Sequence, residues 1–164
     1  MLETVKIPEQ RKGVLIGRGG SVKKALEENT NTKIRINDSV EIEGEALDVM
    51  KAREIIKAIG RGFSPEKAFK LLNDEYQLFI ISLEKPTKKR KRRILSRIIG
   101  SKGMSKNKIE MFTNTDISIY GKTISIIGKW EDVEKAAKAI DMLIGGKPHS
   151  YVFKYLEGLK GETA

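Results

Sequence analysis

The chain carries one pattern twice, and that repeat limits what it can fold into more than any other feature. Ile16-Gly17-Arg18-Gly19-Gly20 is followed by Leu26, then Thr30-Asn31-Thr32, Ile34 and Ile36. Ile99-Gly100-Ser101-Lys102-Gly103 is followed in the same spacing by Ile109, Thr113-Asn114-Thr115, Ile117 and Ile119. After one inserted residue the match resumes, with Gly44 against Gly128, Val49 against Val133, Ala52 against Ala136 and Ile56 against Ile140. A single Gly-x-x-Gly means little among 15 glycines. Two of them in one shared apolar frame mark a duplicated module of about 70 residues. Each copy of a 164-residue chain is then small enough that its core is marginal by area. A docked, pseudo-symmetric pair is therefore expected rather than beads on a string.

Periodicity gives each copy the order strand, two helices around the glycine loop, two strands, helix. In the first copy residues 4–7 read as a strand ended by Pro8, 9–16 as one or two helical turns and 21–28 as a second helix. Residues 33–36 and 40–43 alternate with period two around Asn37-Asp38-Ser39, and 46–59 read as the closing helix. In the second copy the expected elements are a strand over 76–83, helices over 94–99 and 104–112, a hairpin over 116–127 around Gly121-Lys122, and a helix over 131–144. Residues 84–93 lengthen the connection before the first of these helices. Ser64-Pro65-Glu66 begins a connecting helix over 64–73. Residues 148–159 form another, with Val152, Phe153, Leu156 and Leu159 free to pack across the two modules. The expected class is α+β, divided into a first domain over 1–62, a connection over 63–75, a second domain over 76–146 and a terminal helix over 147–164.

Charge separates the copies. The net charge is +10. Residues 85–108 hold eleven Lys or Arg and no acid, whereas the other 140 residues hold 21 basic and 22 acidic side chains. Excess charge confined to one stretch around a glycine loop is the footprint of a polyanion site. There is no cysteine, which excludes disulfides and thiolate metal sites. No apolar run approaches a membrane span and no signal-like start is present, so a cytosolic chain is expected.

The loop itself suits a sugar-phosphate backbone. Glycines permit a sharp turn and close approach, and the helix that follows offers free N–H groups and a positive dipole end. Arg18-Gly19 and Ser101-Lys102 point outward and add a cation. Ile16 with Ile34, and Ile99 with Ile117, would floor a groove too narrow for a duplex. This context resembles the KH module, whose Gly-x-x-Gly loop clamps about four nucleotides of a single strand.

The resemblance narrows at one position. Ordinary KH modules carry isoleucine three residues after the last loop glycine, where both copies here have lysine, Lys23 and Lys106. Gly100-x-x-Gly103-x-x-Lys106-x-x-Ile109-Glu110, then Thr113-Asn114-Thr115-x-Ile117, resembles the archaeal and eukaryotic small-subunit ribosome assembly proteins of the partner-of-Nob (Dim-type) and Krr-related family. The likeness continues through Ile126-Ile127-Gly128, Ala136, Ala139-Ile140, Leu143-Ile144-Gly145-Gly146 and Val152, and it spans essentially the whole chain. It implies two tandem type-I KH domains and a non-catalytic protein that binds the 3′ region of small-subunit ribosomal RNA, with a Nob-type endonuclease and other assembly factors as partners and no cofactor.

The expected principal site is Arg93, Arg97, Ile99, Gly100, Ser101, Lys102, Gly103, Met104, Lys106 and Ile117. Lys88, Lys89, Arg90, Lys91 and Arg92 form a basic extension against the RNA backbone. A weaker first site would use Ile16, Gly17, Arg18, Gly19, Gly20, Lys23, Ile34 and Arg35, with Lys23, Arg35, Arg11 and Lys12 divided between RNA and structural roles because Glu27, Glu28 and Asp38 are near in sequence. Trp130, Tyr120 and Phe112 are expected to pack, and His149 has no assigned role. Two other readings stay open, a KH protein for messenger or small RNA and a protein-binding scaffold with architectural KH folds. An enzyme reading finds little support, because neither a nucleophile–base arrangement nor a phosphate-loop or dinucleotide motif is present. No paired carboxylates for metal are evident.

Overall fold

Both repeats build the same element order. The structure, a computed structural model, describes residues 1–162 and side chains as far as Leu159. In the first repeat β1 (Leu2–Val5) is followed by α1 (Glu9–Ile16), a single 3-10 turn through the glycine loop, α2 (Ser21–Thr30), β2 (Lys33–Ile36), β3 (Val40–Glu43) and α3 (Ala46–Gly60). A short α4 (Pro65–Ala68) runs into a 3-10 turn at Phe69–Leu72. The second repeat comprises β4 (Tyr76–Ser82), α5 (Lys88–Ile99), another 3-10 turn, α6 (Met104–Thr113), β5 (Asp116–Tyr120), β6 (Thr123–Lys129) and α7 (Trp130–Ile144). The helix α8 (His149–Glu162) closes the described chain. Two compact units result, Met1–Leu78 and Phe79–Ala164.

Each unit has one three-stranded sheet, ordered β1-β3-β2 in the first and β4-β6-β5 in the second. The strand that comes last in sequence in each unit is therefore central, with β1 and β2, and β4 and β5, at the edges. β1 begins and ends two residues earlier than periodicity suggests. Its antiparallel register sets Leu2 opposite Glu43 and Val5 opposite Val40, so Lys6 and Ile7 run past the end of their partner. Leu15, Leu26, Ile34, Ile42, Val49 and Ile56 are buried in the first unit. The second core gathers Ile94 and Ile98 of α5, Ile109, Ile117, Ile124, Ile126, and Val133, Ala136 and Ile140 of α7. Val152, Leu156 and Leu159 of α8 complete that same core, with Phe153 packed partly buried against it. The terminal helix thus belongs to the second unit's interior, where the sequence suggested a pack across the modules.

The shared Thr-Asn-Thr frame is a helix stop. Asn31 and Asn114 adopt left-handed φ of 52° and 54°, a conformation asparagine tolerates better than most residues. The hydroxyl of Thr30 donates to the Leu26 carbonyl at 2.6 Å, and that of Thr113 to Ile109 at 2.7 Å. Thr30 and Thr32, like Thr113 and Thr115, share a hydroxyl bond of 2.8 Å. Gly44 and Gly128 lie against this stop, since a Cβ would stand 3.2 Å from Thr32 Cγ2 or 2.9 Å from Thr115 Cγ2. The conserved spacing of the two copies thereby acquires a packing cause.

Candidate nucleic-acid interface

The two glycine loops share one backbone. Gly17 and Gly100 have φ near 76° and 75°, and Gly20 and Gly103 have 78° and 73°. The glycines nevertheless answer different needs. A Cβ on Gly17 would fall 2.4 Å from Val22 Cγ2, and one on Gly100 would fall 2.7 Å from Ser105 Cβ and 2.8 Å from its backbone nitrogen. The first glycine of each loop therefore serves internal packing against the following helix. Gly20 would meet nothing, and Gly103 only the Asn107 amide at 3.8 Å, so the last glycine leaves open space on the outer side. The helices after the loops start without a side-chain cap; their first N–H groups, of Ser21 and Met104, donate to the Arg18 and Ser101 carbonyls of the 3-10 turns.

The third loop position divides the copies. Gly19 sits at φ 61° and Lys102 at φ 55°. Holding a lysine in the left-handed region costs roughly 1 kcal/mol relative to glycine. A strained, exposed cation at a loop tip points to function rather than to fold.

Before that loop the structure departs from expectation. The basic run at residues 88–93 is helix from Lys88 onward, not a lengthened connection. Thr87 caps it by accepting the Arg90 N–H at 3.1 Å. Ile94 and Ile98 bury one face, which leaves Lys88, Lys89, Arg90, Arg92 and Arg93 exposed. None of the six basic side chains from Lys88 to Arg93 has an ion-pair partner among the described residues. They occupy the positive end of a helix dipole with no acid in the first turn, which is unfavourable for the free protein. Uncompensated positive charge of this density makes the helix a candidate surface for phosphates.

Several expected site residues serve other ends. Ile34 and Ile117 are only 1% and 2% exposed, so they are core residues and not the floor of a groove. Alternation along β2 and β5 sends them inward. Ile16, Ile99 and Met104 do stay exposed beside the loops and provide the apolar surface. Lys106 pairs with Glu110 at 3.2 Å and Lys23 with Glu27 at 3.5 Å. The other oxygen of each carboxylate accepts an N–H from the open sheet edge, Glu110 from Ile117 and Glu27 from Ile34, both at 2.9 Å. The distinguishing lysine of each copy therefore holds a carboxylate that satisfies an edge strand. The Lys–Glu spacing of four is visible in both copies, but the part each glutamate plays at the sheet edge is not.

Arg97 is also engaged, donating to the Lys147 carbonyl. Arg11 donates to the carbonyls of Ile59 and Phe63, both at 2.8 Å. Lys12 is held by the Asn37 carbonyl at 2.6 Å and by Glu9 at 2.8 Å. Arg18 and Arg35 remain exposed. Trp130, expected in the core, is 54% exposed because it occupies the first turn of α7 on the solvent side. His149, assigned nothing, stands beside the second loop, its Nε2 2.8 Å from the Arg97 carbonyl. No sequence signal links residues so far apart. The free cations of the second site are thus Lys102 and the α5 cluster including Arg93.

Among the described residues no group of three or more His, Asp or Glu side chains is placed to hold a metal, and no helix is long and apolar enough to cross a membrane. Residues 77–161 match the model for the second KH domain of PNO1 proteins, described as a eukaryotic-type KH domain of type I, and residues 2–58 match the KH domain. The KH domain-containing protein MJ0443 of Methanocaldococcus jannaschii is 42% identical over 95% of the chain and 73% of its own length. RNA-binding protein PNO1 of Oryzias latipes is 33% identical over 84% of the chain and 61% of its own length. Dim2p from Pyrococcus horikoshii superposes with a TM-score of 0.90 at 45% identity, covering 96% of this chain and 98% of that one. A structure of an a/eIF2alpha-aDim2p-rRNA complex from the same organism matches at 0.92 and 44% identity, covering 99% and 95%. The chain belongs to the PNO1/Dim2 family of KH-domain proteins.

Proposed function

We propose that this chain is a non-catalytic, cytoplasmic binder of single-stranded RNA that holds the 3′ region of small-subunit ribosomal RNA during ribosome assembly. The observation that carries this reading is the unpaired cation cluster from Lys88 to Arg93 together with exposed Lys102 around Gly100 and Gly103. The relatives support it, since one is named a pre-rRNA-processing protein in Aspergillus fumigatus and a close structural match is a complex with rRNA. Phosphates would lie on the loop and the start of α6, with Ile99 and Met104 beneath the bases. The first loop, with Arg18 as its exposed cation, would be a weaker site. A Nob-type endonuclease and other assembly factors would act on the RNA end so presented.

Crosslinking in cells followed by sequencing of the bound RNA tests the target. Enrichment of the small-subunit 3′ end is expected, and its absence overturns the rRNA assignment. Replacing Ser101 and Lys102 together by Asp sets two anions against the RNA backbone and should weaken binding by roughly one to two orders of magnitude with the fold intact. A folded double variant that binds like wild type would remove the second loop from the site.

A further inference from the structure

We propose that a slot between the second glycine loop and the terminal helix holds one nucleobase of the bound strand, next to the nucleotides on the loop. It rests on the RNA-binding reading. The slot has a volume of about 280 Å³ and is walled by Gly100, Ser101, Met104, Ser105, His149 and Phe153. That is at the lower end for small-molecule sites, room for one ring system and not for a duplex.

Ser105 singles this slot out. It is 2% exposed, and its hydroxyl has no hydrogen-bond partner. That hydroxyl is itself covered, so what Ser105 gives the slot is the room left by a small side chain. The first repeat has Val22 at this position, tucked beneath Gly17, and carries no such hydroxyl. The rest of the wall suits a flat aromatic ligand. The rings of His149 and Phe153 lie with centroids 6.0 Å apart, inclined at 49°, and Met104 contributes to the same wall. Because a carbonyl can only accept, His149 Nε2 must carry its proton toward Arg97, which fixes the ring against α5. Lys108 places its ammonium 4.1 Å from the Phe153 ring centre, so positive charge stands where a flanking phosphate would pass.

Gly100 and Ser101 belong to both the loop and the slot, so a strand leaving the loop meets the slot without a gap. A base can stack on the aromatic wall while its phosphate meets the Lys108 ammonium, and this pairing of ring and cation beside the loop favours RNA over an apolar side chain as the occupant.

The test is an abasic scan of a single-stranded RNA oligonucleotide against the full chain. One position just outside the four loop-bound nucleotides should lose affinity on removal of its base, on the order of tenfold. In Ser105→Val, the residue the first repeat uses, that loss should vanish while affinity for a four-nucleotide strand stays unchanged. An unfolding temperature no lower than wild type checks that the variant folds. If no base outside the four contributes in the wild-type protein, or if Ser105→Val leaves the contribution intact, the slot proposal is overturned and RNA binding at the loop stands. If no strand of any length binds, the loop reading fails and the slot falls with it.

Discussion

The two glycine loops have the same dihedral angles and different chemistry. At the third position the first loop puts glycine where the backbone turns left-handed, which is the relaxed choice. The second puts Lys102 there at φ 55° and carries an unneutralised basic helix in front of it. The first loop is thus built as a turn and the second as a turn loaded with charge. A duplicated fold keeps the parts that packing demands in both copies. What differs is what the free protein could do without, and the proposed binding side rests on those differences.

The largest effect should come from the shared part. Gly100→Ala places a Cβ against Ser105 and keeps the residue at positive φ, so it should cost about 3 kcal/mol or more in denaturant unfolding. Gly17→Ala should behave alike because Val22 lies as close. Gly103→Ala, with open space around it, should cost only about 1 kcal/mol. Equal losses at Gly100 and Gly103 would break the division between a packing glycine and an access glycine.

A smaller, opposite pair of effects is expected at the basic helix. Lys88→Glu with Lys89→Glu relieves like-charge crowding at the positive end of α5 and should stabilise the free protein by roughly 0.5–1 kcal/mol. The same change should lower the slope of log affinity against log salt by about 1.4, the share of two phosphate contacts on a single strand. Unchanged salt dependence would take the helix out of the RNA surface. Stability lost instead of gained would show that these cations have partners within the protein.

The order of elements was legible from the repeat, because the glycine loops, the Thr-Asn-Thr stops and the alternating strands are local patterns that cause local structure. The start of α5 was not. Six adjacent cations disfavour a helix on their own, and only the burial of Ile94 and Ile98 together with the Thr87 cap carries the helix back to Lys88. Exposed side chains were legible where exposure follows from a loop, as at Ser101 and Lys102. Site residues were misread where a side chain has a distant partner. Ile117 turns into the core through strand register, Lys106 is drawn to Glu110, and Arg97 is fixed by a carbonyl fifty residues on. Charge alone does not tell a free cation from an engaged one. His149 reaches the loop only because α8 folds back onto the second core.

The sharpest comparison exchanges the third loop residue between copies. Lys102→Gly relaxes the left-handed strain, offset in part by the greater freedom of glycine in the unfolded chain, and should stabilise the protein by about 0.5 kcal/mol. It should also weaken RNA binding and reduce the salt slope by about 0.7, one phosphate contact. Gly19→Lys should do the reverse, destabilising by a similar amount while strengthening the first loop as an RNA site. Thermal unfolding and salt-dependent titration on both variants measure the two quantities independently. If Lys102→Gly gains stability without losing affinity, the lysine is not a phosphate ligand and the strain at this position has another cause. If Gly19→Lys gains no affinity, the loops differ by more than this residue, and the helix in front of the second loop is what separates them.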